Sequence, residues 1–266
     1  MIPTRGPKQF PPPFRRPLAP RKRVSYHKAM TIGLAAHADH QLNPRIVLCC
    51  DWLLGDALSS SERTCKLDIT SVPRTAVLLT GTLETAIGLT GACRSKLKIK
   101  GAFASRESFK RAIHSALNTY LAQLAKRSRN LDDVELLLAN FFSDGPCITH
   151  VNSQGVFEVI FPEIKSIGIG CHFSDPILLW RQKHQPMEPA LNLPMVLYRV
   201  YEAKKLSEAS RDVGRLTTLV ILEANCEEEQ GFSARPITES CFEWLNKRFL
   251  EFGPQPLPQQ FDYVFD

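Results

Sequence analysis

The chain has 266 residues, 44% of them hydrophobic, enough to bury the core of one large domain. Its formal charge of +6 is concentrated at the N-terminus: residues 1–29 hold eight Lys/Arg and no Asp or Glu, leaving 25 basic against 27 acidic side chains in the rest. A body so balanced is no electrostatic trap for phosphates, which argues against a nucleic-acid partner, and the lack of any run of 18 or more apolar residues argues against a membrane partner.

Residues 1–29 include seven prolines, which fix φ and withhold amide donors, so neither helix nor sheet can propagate there. Three origins fit this basic extension: a propeptide, an arm that docks on a partner, or a segment upstream of a true start at Met30. In the third case, removal of Met30 would expose the amine of Thr31. A chain cut before Thr31 carries a nucleophilic hydroxyl and a free amine on one residue, a minimal catalytic unit.

Residues 32–36 and 45–50 are apolar runs joined by a polar, proline-ended segment, the pattern of a long hairpin. His37 and His40 have a ligand-like spacing, but zinc needs three or four ligands and no further cluster accompanies them. Both are therefore expected in a solvated loop, and no metal is expected. The second run ends at Asp51, and a turn containing Ser59, Ser60 and Ser61 leads to Cys65-Lys66-Leu67. Residues 75–80 form another strand, broken at Gly81. Residues 84–97 predict a helix with Ala86, Leu89, Thr90, Cys93 and Leu97 on one face. Residues 105–127 predict a clearer one, capped by Ser105, with Phe109, Ile113, Ala116, Leu117, Tyr120, Leu121 and Leu124 at the 3.6-residue period.

Strands resume at 134–142, 147–151 and 156–161, separated by turn signals at Asp144-Gly145 and Ser153-Gln154-Gly155. A strand at 165–168 runs into Gly170-Cys171-His172, and helices follow at about 174–183 and 193–210. Residues 215–222 read as a strand and 239–252 as a last helix. Two blocks of strands, each followed by a helix pair, predict an α+β fold, a four-layer αββα sandwich of two mainly antiparallel sheets. The order is not the βαβ repeat of a doubly wound nucleotide fold. The domain is expected over 30–252, followed by a proline-rich tail over 253–266. The eight cysteines show no CxxC spacing and read as reduced thiols, and the N-terminus lacks the apolar core of a secretory signal, so a cytoplasmic protein is expected.

From Thr31 to Leu222 the sequence resembles the proteasome β-subunit type of N-terminal-nucleophile (Ntn) hydrolase, in its bacterial form. The likeness rests on Met30-Thr31-Ile32 opening the first strand, Val47-Leu48-Cys49-Cys50-Asp51 closing the hairpin, and Lys66 fifteen residues on. It continues through Leu78-Leu79-Thr80-Gly81, Ile167-Gly168-Ile169-Gly170 and Val213-Gly214. The resemblance implies an αββα fold and a threonine-type endopeptidase with Thr31 as nucleophile and its own amine as general base. Asp51 and Lys66 would form a buried pair beside it, and the Gly81 amide would stabilise the oxyanion. Leu79 and Leu83 would lie near the pocket for the residue on the acyl side of the cut bond.

A homo-oligomeric ring, a polypeptide substrate and an ATP-dependent unfoldase as feeding partner are the partners so implied, with no cofactor. The chain departs from the pattern at Ile169, where the family has a serine, and near Gly214, where Ser210 and Asp212 stand out of register. Met30 replaces the usual glycine, as in bacterial members that begin Met-Thr. Two other readings are an inactive proteasome-like ring subunit and an Ntn amidase acting on small amides. A phosphate loop at Gly168-Ile169-Gly170 is a weaker one, since a third glycine and a following lysine are missing.

Overall fold

A computed structural model of the protein describes residues 31–39, 43–55, 60–62, 66–99, 101–127, 134–160, 163–184 and 192–254. The extension over 1–29, Met30, His40, Cys65 and the tail from residue 255 lie outside them. The first sheet is built from β1 (Gly33–Ala38), β2 (Arg45–Asp51), β10 (Ile164–Ile167), β11 (Thr217–Ala224) and β12 (Phe232–Pro236), in the order β10-β1-β2-β11-β12. The second contains β5 (Leu67–Val72), β6 (Thr75–Thr80), β7 (Glu135–Phe142), β8 (Gly145–Asn152) and β9 (Gly155–Val159) in sequential order. All the pairings are antiparallel. Helices α1 (Leu83–Leu97) and α2 (Arg106–Lys126) cover the outside of the second sheet. Helices α3 (Cys171–His184), α4 (Leu193–Ser207) and α5 (Glu239–Phe252) cover the outside of the first. The four-layer α+β sandwich expected from the sequence is the fold.

The layering follows from which side each strand residue points to. Successive side chains of a strand face opposite ways, and a sheet covered on both faces needs apolar residues in both sets. In β2, Val47 and Cys49 pack under α4, whereas Ile46, Leu48 and Cys50 enter the layer between the sheets. In β7, Leu136 and Leu138 meet α1 and α2 while Leu137, Ala139 and Phe141 point inward. These buried runs are therefore continuous rather than alternating, which is why they stand out in the sequence.

Helix boundaries follow the local signals. The Ser105 hydroxyl accepts from the Ser108 amide at 3.1 Å, satisfying one of the free donors at the start of α2. Thr238 does the same for α5 through the Cys241 amide at 3.3 Å. The predicted stripe of α1 is buried throughout, and that of α2 is buried except for Tyr120 and Leu121, which are half-buried.

Two expectations are corrected, at His37 and in the segment after Asp51, and two edge strands appear that the local sequence does not signal. His37 is no loop residue: it lies in β1, buried between the sheets, and its Nε2–H donates to the Val159 carbonyl at 3.3 Å, joining β1 to β9. The segment after Asp51 contains a short antiparallel ribbon, β3 (Leu53–Gly55) with β4 (Ser60–Glu62). Residues 67–72 form the edge strand β5, and 232–236 form the edge strand β12, whose backbone pairing to β11 from Val220 to Ala224 outweighs weak strand propensity.

One link between layers is titratable. Glu158 on β9 pairs with Lys110 and, at 2.7 Å, with Arg106, so the carboxylate ties α2 to the sheet. Burial alone would raise its pKa, but the hydrogen bonds and charges of Lys110 and Arg106 hold it below the ordinary value of 4.5. Because the folded value is the lower one, the stabilisation is complete above pH 4.5 and disappears as pH falls through the folded value. The urea midpoint of Glu158→Gln is expected to fall less between pH 6 and pH 3 than that of the wild type.

Candidate active site

The β1–β2 register brings the nucleophile candidate to its carboxylate. Gly33 stands opposite Cys50, so Asp51 falls beside Ile32, and its amide donates to the Ile32 carbonyl at 3.4 Å. The fully buried Asp51 then collects four donors. Its Oδ1 accepts from Thr31 Oγ1 at 2.5 Å, Lys66 Nζ at 3.0 Å and the Ile32 amide at 3.3 Å, and its Oδ2 from the Gly214 amide at 2.8 Å. A carboxylate removed from water is costly unless its charge and lone pairs are matched, and here they are. Lys66 stands at the head of β5, its carbonyl accepting from the Leu79 amide of β6 at 3.1 Å. The Asp51–Lys66 ion pair therefore fastens the first sheet to the second at the end where Thr31 enters.

Thr31 is itself fully buried, and its main chain is gripped by the turn after β10. The Gly170 amide donates to the Thr31 carbonyl at 3.1 Å. Gly168 has φ +85°, and a Cβ there would lie 2.5 Å from the same carbonyl oxygen, so both conformation and space require glycine. Gly168→Ala is expected to cost more than about 2 kcal/mol in denaturant unfolding, the strain of the left-handed backbone adding to the clash. The amide that a phosphate loop would need at Gly170 is already spent on Thr31.

Helix α4 braces the site from behind. Ser207 Oγ shares its one proton between the Ala203 carbonyl of its own helix at 2.8 Å and, at 3.1 Å, the carbonyl of Gly170, the residue whose amide holds Thr31. One turn earlier, the fully buried Lys204 pairs with Glu208 and donates to the Arg215 carbonyl at 2.9 Å, next to the Gly214 amide that holds Asp51. The last turn of α4 thus anchors both the turn behind Thr31 and the loop behind Asp51. Neither residue was singled out in the sequence, although a signal exists. Lys204 and Ser207 continue the apolar stripe of Val196, Val200 and Ala203, where an ammonium is out of place unless paired, and Glu208 follows at i+4.

Of the residues expected in the site, Thr31, Asp51 and Lys66 come together. Gly81 follows β6 with φ +91°, two residues beyond the Leu79 amide bound to Lys66, and among the described contacts shares no hydrogen bond with Thr31. Leu79 and Leu83 flank it, half-buried. Ser210 accepts from the Asp212 amide at 3.2 Å, and neither residue bonds to Thr31. Ile169 brings no hydroxyl to the turn. Burial pushes the Cys49 thiol up to about 12, with Lys204 pulling it down and Asp51 and Glu208 pushing it further up. Although it stands two residues from Asp51, it stays a protonated thiol and no rival nucleophile. Among the described residues no group of three or more His, Cys, Asp or Glu side chains gathers at one point, and no helix is long and apolar enough to cross a membrane.

No protein-family model matches the chain, and no curated protein matches it. Solved structures do. Anbu, the ancestral β-subunit, from Yersinia bercovieri superposes with a TM-score of 0.63 at 14% identity, over 86% of this chain and 99% of that one. An Anbu mutant from Hyphomicrobium sp. strain MC1 superposes with a TM-score of 0.60 at 14% identity, over 88% of this chain and 100% of that one. The fold is theirs.

Proposed function

We propose that this chain is a threonine-type endopeptidase of a proteasome-like ring in the cytoplasm, active once Thr31 is the N-terminal residue. The observation that carries the reading is the fully buried Asp51, holding the Thr31 hydroxyl and the Lys66 ammonium on one oxygen. With the bond before Thr31 cut, the α-amine takes the hydroxyl proton as Oγ1 attacks the substrate carbonyl carbon, giving a tetrahedral oxyanion next to the Gly81 amide. Collapse expels the leaving amine, which receives that proton, and leaves an ester on Thr31. Water, activated by the same amine, hydrolyses the ester and restores the site.

An α-amine titrates at about 7.7 to 8.0, and the nearby Lys66 charge favours its neutral form. A base acts unprotonated, so the rate rises with pH through the amine pKa. Leu79 and Leu83 beside Gly81 favour an apolar residue on the acyl side. The likeness to an ancestral β-subunit supports the ring and a polypeptide substrate. An ATP-dependent unfoldase would feed such a ring.

The test is intact mass and N-terminal sequencing of the purified chain, followed by hydrolysis of a fluorogenic apolar peptide. Thr31 as terminus with cleavage of the peptide is the expected result. A terminus that stays at Met1 in active material would overturn it. A second reading, an inactive ring subunit, is favoured by Ile169 and by Ser210 being engaged with Asp212. An unprocessed chain that forms stable oligomers and cleaves neither peptides nor small amides would support it. Cleavage of small amides alone would mark an Ntn amidase.

A further inference from the structure

On the far side of α4 from Lys204 lies a buried charge that forms no ion pair among the described residues. Five Asp, Glu, Lys or Arg side chains are buried among the described residues, and four of them are paired: Asp51 with Lys66, Glu202 with Arg181, and Lys204 with Glu208. The fifth, Arg199, is 5% exposed, makes no ion pair, and its Nε–H has no acceptor. The nearest carboxylate on its own helix, Glu202, is taken by Arg181 through Nε at 2.9 Å and Nη2 at 2.5 Å, and by the Tyr198 hydroxyl at 3.3 Å. Burial and the neighbouring Arg181 charge push the Arg199 pKa down, and the Glu202 charge, already shared with Arg181, offsets this only in part. Such a group destabilises the fold unless something neutralises it.

Arg199 lines a cavity of about 140 Å³ between β10, α3 and α4. The wall opposite is mixed. Leu178, Leu179 and Ile164 give it an apolar side; Lys165 adds a second cation; Glu163 and Asp175 bring two carboxylates, of which Asp175 already accepts from the Ser166 hydroxyl. The planar fork of a guanidinium matches a carboxylate or a phosphate. The two acids repel a dianion, and the apolar side favours a hydrocarbon body, which points to a small ligand with a single negative charge on an apolar body.

We infer that the cavity of Arg199 is a binding site for a small aliphatic monocarboxylate, its carboxylate on the Arg199 fork and its chain against Leu178 and Leu179. The site lies apart from Thr31 and does not depend on the threonine chemistry. Two sources share this ligand chemistry, simple short-chain acids and free aliphatic amino acids, and they differ in the ammonium that Glu163 and Asp175 would meet.

The test is a thermal-shift and calorimetric titration of the full chain with isovalerate, leucine and inorganic phosphate at constant ionic strength. A saturable response to isovalerate or leucine, and none to phosphate, is the expected result. Leucine binding at least tenfold tighter than isovalerate assigns the amino-acid source; the reverse order assigns the simple acid. Arg199→Met is expected to fold, since it replaces an unpaired buried charge by a side chain of similar length, and to weaken binding at least tenfold. Leu179→Trp, at a position 55% exposed, narrows the cavity without touching the charge and is expected to weaken binding as well. No saturable response to either acid, or a response unchanged in both variants, overturns the proposal, and tighter binding of phosphate overturns the ligand class.

Discussion

Thr31→Ala, in a chain whose terminus is residue 31, is expected to lower kcat/KM for an apolar peptide at least about a thousandfold, the scale on which removal of a nucleophile acts. The fold is expected to survive. The substitution withdraws one of four donors to Asp51, a loss of about 1 kcal/mol, and leaves Lys66 and the Ile32 and Gly214 amides in place. Circular dichroism and the urea midpoint check that half of the statement, and the peptide assay checks the other. Thr31→Ser keeps the hydroxyl and is expected to keep measurable turnover. Equal activity in wild type and Thr31→Ala would remove Thr31 from the chemistry altogether.

The largest stability effect is expected at Asp51. Asp51→Asn keeps the shape but takes the negative charge away from the ammonium at 3.0 Å, with both side chains almost fully buried. Breaking one side of such a pair costs about 3–5 kcal/mol, because the remaining charge is still held out of water. The double variant Asp51→Leu with Lys66→Met removes both charges and is expected to recover most of that loss while remaining inactive. Urea unfolding of Asp51→Leu, Lys66→Met and the double variant forms a cycle whose coupling energy is the worth of the pair. A double variant no more stable than the singles would show that shape and hydrogen bonding, rather than charge, hold the corner of the sandwich. Activity in the double variant would separate the pair from catalysis.

Much of the fold could be read before any coordinates, because buried helices and strands write their period into the chain. The stripe of α1 and the Ser105 cap of α2 fall where the sequence puts them. What escaped depends on partners distant in sequence. Residues 232–236 carry Pro236 and polar neighbours and become a strand only because β11 offers its edge. His37 looks like a loop residue until β9 supplies the Val159 carbonyl that lets a histidine enter the core. The same division holds at the site. Thr31, Asp51 and Lys66 could be named through the resemblance to proteasome β-subunits, whereas Lys204 and Ser207 bind only backbone carbonyls and the neighbouring Glu208, and backbone contacts leave little trace in residue type.

The double hold of α4 bears on how the protein would fail when warmed. Ser207 and Lys204 sit in the final turn of that helix, and helix ends fray before helix middles. Loss of that single turn would release the backing of Gly170 and of Arg215 in one step, moving Thr31 out of line with Asp51 while both sheets remain intact. For the proposed peptidase, thermal inactivation is therefore expected to be a local event that runs ahead of the cooperative melting of the sandwich, and a change at the exposed Ala209, just past the end of α4, that holds the last turn closed is expected to lengthen working life at a given temperature.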